Sequence, residues 1–105
     1  MARFPFTDLH SFKDFVGFVQ ISATVGDFPE RDGLPPDEQW TLDLAFEGLR
    51  LGLKMAEEEK GPKPVFVQCK QLVEEAYAHY RQGQMPEGYK KLDEMQKLLR
   101  KIPSQ

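Results

Sequence analysis

Hydrophobic residues recur along this chain at helical intervals, in four blocks parted by clusters of glycine and proline. In the block 36–60, PDEQWTLDLAFEGLRLGLKMAEEEK, residues Leu42, Ala45, Phe46, Leu49, Leu53 and Ala56 share one stripe at roughly 100° per residue. Trp40, Leu44, Leu51 and Met55 form a second stripe, displaced by about 150° on the same wheel. Thr41, Gly48 and Gly52 lie between the two, so the uncharged arc covers roughly 240°. Asp43, Glu47, Arg50 and Lys54 share what remains. A surface helix buries a single stripe, so a helix over 36–60 is either the enclosed centre of the domain or keeps its second flank for a partner. Pro36 suits the first helical position, and Asp37 and Glu38 the positive end of the dipole. Glu57, Glu58 and Glu59 fall at the end that repels them.

Upstream, Thr7 or Asp8 offers an N-cap, and Leu9, Phe12, Phe15, Val16, Val19 and Ala23 repeat on one face, predicting a helix over 8–24. Residues 19–25 also admit a strand, because Val19, Ile21, Ala23 and Val25 alternate with period two. The longer register from Leu9 favours helix, which leaves Phe18, Ile21 and Val25 on its outer side in want of a cover. Residues 1–6, with Phe4 and Phe6 around Pro5, read as an extended arm that tucks against the helices. The segment 26–35, GDFPERDGLP, is an acidic Pro/Gly loop anchored by Phe28.

Val65, Cys69, Leu72, Val73, Ala76 and Tyr80 predict a third helix from about 64 to 82, ended by Gly83. Gly88, Leu92, Met95, Leu99 and Ile102 predict a fourth, ended by Pro103 and followed by a frayed Ser-Gln tail. The short link at 83–85 makes 64–102 an antiparallel helical hairpin. The expected architecture is all-α, a small four-helix bundle forming a single domain over 1–105. Within the hairpin, Ala76, Gly83 and Gly88 at small positions, with Leu92 and Met95 at packing positions, resemble the tetratricopeptide-type helix pair over about a quarter of the chain. Met85 stands where that pattern has its turn aromatic, and no second copy follows. A solenoid needs about three repeats, so the likeness is one of hairpin packing rather than membership.

Composition adds less. An apolar fraction of 40% with eight Phe is enough for a core, and a net charge of −3 points to neither nucleic acid nor an anionic membrane. No stretch approaches the ~20 apolar residues of a membrane span, no signal peptide is visible, and the single Cys69 cannot form an internal disulfide, so a cytoplasmic protein is expected. The charge is unevenly spread: residues 1–59 hold twelve acids and five bases, residues 60–105 five acids and nine bases. The bases gather on the last helix, and the acids of 27–47 surround Phe28, Leu34 and Trp40.

His10 has Asp14 four residues on, and His79 has Glu75 four residues before. Zinc needs three or four ligands and no local set supplies them, so no metal or cofactor is expected. Cys69 sits on an apolar stripe, and no P-loop, Rossmann or nucleophile-elbow pattern occurs, so enzyme activity is not expected either. Glycines 48 and 52 make a shallow groove on the central helix into which another backbone can approach, either from the same chain or from a partner. The expectation is a protein-protein interaction module, of the immunity or antitoxin-like inhibitor type or a homodimeric adaptor. Trp40, Leu44, Gly48, Leu51, Met55 and Phe28 would be its anchors, with Asp37, Asp43 and Glu47 steering. On that reading Leu44→Asp would disrupt binding and spare the fold. The alternative is a self-contained helical accessory or regulatory subunit, whose second stripe is covered by Phe4, Phe6 and the first helix.

Overall fold

The computed structural model describes residues 4–103. Among them it contains four helices and no strand: α1 (Leu9–Val25), α2 (Leu42–Lys60), α3 (Pro64–Arg81) and α4 (Met85–Arg100). A single 3-10 turn, Pro36–Glu38, precedes α2. The helices pack in a ring, α1 against α2, α2 against α3, α3 against α4 and α4 back against α1, with the α3–α4 hairpin the most extensive pairing. The Cα envelope is 35 × 33 × 15 Å. Its short dimension is that of two helix layers with axes about 10 Å apart, so each helix keeps a broad outer side.

α1 begins at a capping box. Asp8 Oδ1 accepts from the Ser11 N–H at 2.9 Å while Ser11 Oγ accepts from the Asp8 N–H at 3.2 Å. It ends at Gly26, whose φ of 85° the glycine supplies without strain. Residues 19–25 are helical throughout, and burial shows why the helix wins over the strand: Val19 and Ala23 are inside, Ile21 and Val25 outside. A strand would have put all four on one face.

α2 departs from expectation at its start. The helix begins at Leu42, not Pro36, with Thr41 Oγ1 accepting from the Leu44 N–H at 3.0 Å as N-cap. Pro36 does open a helical turn, but that turn closes after Glu38, and Gln39 and Thr41 are extended. The break lets the Trp40 ring fold back onto α1. At the other end two of the three acids that looked misplaced, Glu57 and Glu59, find partners on other elements. Glu57 pairs with Lys70 at 2.6 Å, and Glu59 Oε1 accepts from the Leu9 N–H at 3.2 Å, at the positive end of α1.

Phe12, Val16 and Val19 of α1, Phe46, Leu49 and Leu53 of α2, Phe66 and Val73 of α3, and Leu92, Met95 and Leu99 of α4 make one fully buried core. No buried side-chain nitrogen or oxygen among the described residues lacks a hydrogen-bond partner. In the α3–α4 hairpin a Cβ on Gly88 would lie 2.7 Å from the Tyr80 ring, which explains the small residue there. The first three residues of the expected arm, and the Ser-Gln tail, lie outside the described residues; Phe4 and Phe6 do pack against the helices.

Candidate protein-binding surface

The second stripe of α2 divides into covered and uncovered parts. Leu44 is only 6% exposed. Gly48 is buried beneath the Phe15 and Phe4 rings, to which an added Cβ would approach within 2.8 and 2.9 Å. Gly52 is closed still more tightly by Phe12. The groove that the two glycines form is therefore filled from within the chain, by α1 and the Phe4–Phe6 arm. Met55 is half-buried against the same core, and Leu51, at 45% exposed, is what remains open of the stripe. Asp43 is exposed but engaged, accepting from the Tyr77 hydroxyl and lying 3.6 Å from Arg81 Nη1; Glu47 is half-buried.

Trp40 belongs to a different assembly. Its ring centroid lies 5.3 Å from Phe18, 5.7 Å from Phe15 and 6.2 Å from Phe4, and Phe28 reaches the other side of Phe18 at 6.1 Å. Such separations are those of offset and edge-on aromatic pairs. The loop that carries Trp40 is held by its own polar contacts. Gln39 donates to the carbonyls of Arg31 and Leu34 at 2.8 and 2.9 Å and accepts from the Arg31 N–H at 2.7 Å. The Arg31 guanidinium lies 4.6 Å over the Trp40 ring and donates to the Glu38 carbonyl.

Trp40 stands as a ridge between two open depressions. One, of about 310 Å³, lies between Pro5, Asp14, Phe15 and Phe18; the other, of about 410 Å³, lies between Phe28, Glu30, Leu34 and Pro36. Along α1 the surface continues past Phe18 to Ile21 and Val25, which are 64% and 72% exposed. The spacing 18, 21, 25 puts these three on one helix face, the outer face that sequence periodicity indicated without assigning it a role. Asp14 and Glu30 line the two depressions, and Asp27, Asp32, Asp37 and Glu38 are exposed on the 26–41 segment, where Arg31 is the one base. Of the residues expected to bind a partner, then, Trp40 and Phe28 come together here and Asp37 is exposed on the same loop, while Leu44 and Gly48 belong to the interior and Leu51 and Met55 lie elsewhere on α2.

No protein-family model matches this chain, and neither a curated protein nor a solved structure does.

The groups with chemical potential elsewhere are quiet. Cys69 is fully buried, and burial pushes its thiol up to about 11, away from the thiolate a nucleophile needs. His79 Nδ1 lies 2.7 Å from Gln84 Oε1, and Glu75 is paired instead with Lys91 at 3.3 Å. Among the described residues no group of three His, Cys, Asp or Glu is placed to hold a metal, and no helix is long and apolar enough to cross a membrane.

Proposed function

We propose that this chain is a non-enzymatic interaction module that binds a basic protein partner through the Trp40 surface. One observation carries the reading: Ile21 and Val25, the two most exposed large aliphatic side chains among the described residues, extend an aromatic ridge flanked by acidic residues. Scattered single apolar residues are ordinary on a protein surface, but a contiguous apolar strip with a charged margin is how recognition sites are built. Trp40 and Phe18 provide rigid anchors, and the acids raise the encounter rate of an oppositely charged partner and reject like-charged ones.

The same charge argument separates the two kinds of partner expected from the sequence. A homodimer made through this surface would set acid against acid around Trp40, which costs rather than gains. A foreign basic chain meets no such penalty, and an antitoxin-like inhibitor that covers the basic surface of a toxin fits the pattern. The self-contained accessory subunit draws support from the internal cover over Leu44 and Gly48, but that cover does not reach Ile21 and Val25.

Affinity capture from the native cell at two salt concentrations tests the proposal. A single basic protein retained at low ionic strength and released as salt rises agrees with it. Self-association by light scattering with no retained basic protein rejects it.

A further inference from the structure

A second site lies apart from the Trp40 surface, at the corner where α2 ends, α3 begins and α4 ends. There an open depression of about 540 Å³ has an apolar floor of Val65, Leu98, Ile102 and Pro103. Lys60, Lys63 and Lys101 stand around it, and no acidic side chain lines it. α2 alone, at 19 residues, carries the chain roughly 28 Å from the Trp40 end to this corner.

The charges here are poorly compensated, unlike those of Lys91 and Lys97 in the same hairpin. Lys91 and Lys97 have carboxylates at 3.3 and 3.1 Å. Among the described residues Lys60 has only Glu59, at 3.6 Å, and that carboxylate also serves the Leu9 N–H. Neither Lys63 nor Lys101 is ion-paired with any described residue. α3 begins beside them with no side-chain cap, so its first turn adds positive potential to the same place. Three ammonium groups around a greasy floor, in a protein whose net charge is −3, present an electrostatic surplus that an anion would relieve.

We propose that this depression binds a small anionic amphiphile: a carboxylate head held among Lys60, Lys63 and Lys101, with a linear apolar chain of about six to ten carbons lying over Val65, Leu98 and Ile102. The head is recognised as a charge and not as a shape, because lysines are mobile point charges and no arginine among the described residues lines the site. The tail supplies apolar burial that acetate lacks, and the head the attraction that an alcohol lacks.

Octanoate, titrated as free monomer into the ¹⁵N-labelled full chain, is the probe. The expected result is saturable amide shifts confined to Val65, Gln68, Leu98, Lys101 and Ile102. Octanol and acetate should each bind at least about tenfold more weakly, and Lys63→Gln with Lys101→Gln should weaken octanoate by about tenfold while leaving the melting temperature unchanged. Affinity for octanoate should also fall as sodium chloride is raised. Equal binding of octanol and octanoate, shifts centred on Trp40, or binding only to anionic vesicles and not to monomeric octanoate would each overturn the proposal.

Discussion

Two helices of this protein carry an apolar flank beyond the one that faces the core, and the chain treats them differently. On α2 the extra flank is closed except at Leu51: Leu44 is nearly enclosed, and α1 and Phe4 lie over Gly48 and Gly52. On α1 the extra flank is half closed, since Phe28 and Trp40 cover Phe18 but stop short of Ile21 and Val25. An apolar stripe is thus a demand for burial without being a statement of who satisfies it. What decides is the length of spare chain within reach, and here the arm reaches one flank while the 26–41 loop reaches only part of the other.

The comparison breaks most sharply at Leu44. Replacing a nearly enclosed leucine by a carboxylate removes apolar burial and strands a charge, so Leu44→Asp should cost about 3–4 kcal/mol in a urea unfolding experiment, reversing the expectation that this position serves binding alone. Gly52→Ala comes next. Its methyl has no room beside Phe12, and forcing α1 and α2 apart should cost about 2 kcal/mol, seen as a lower urea midpoint with unchanged slope.

A smaller effect belongs to the end of α1 away from its bare flank. The Ser11 N–H, with the Ser11 hydroxyl, holds the Asp8 carboxyl below its ordinary 3.8. A carboxyl depressed in the folded state contributes stability in full above its unfolded pKa, and loses it as the pH falls through the folded value. Wild-type protein should therefore lose stability below about pH 4 more steeply than Asp8→Ala, measured by thermal melts across pH 2–6.

Much of this architecture is legible in the order of residues. The four helical registers, the glycine turns and the inert setting of Cys69 all follow from local spacing and neighbours. Residues 19–25 were ambiguous only for as long as period two was weighed apart from the register that starts at Leu9. The start of α2 is not legible in the sequence because Pro36, Asp37 and Glu38 satisfy the opening turn of an α-helix and of a 3-10 turn equally well. The cap that does open α2, Thr41, was hidden inside the extrapolated pattern. The cover over Gly48 could not be read locally at all, since it joins Phe4 to a position 44 residues later in the chain.

The smallest stability effect carries the largest functional weight. Ile21 and Val25 already stand mostly in water and lysine suits the last turns of a helix, so Ile21→Lys with Val25→Lys should leave the unfolding free energy within about 0.5 kcal/mol of wild type. The decisive measurement pairs that unfolding curve with retention of the basic partner by the same double variant. Unchanged stability together with lost retention is what an uncovered recognition flank on α1 requires. A collapse of the fold, or a partner held as firmly as before, would contradict it.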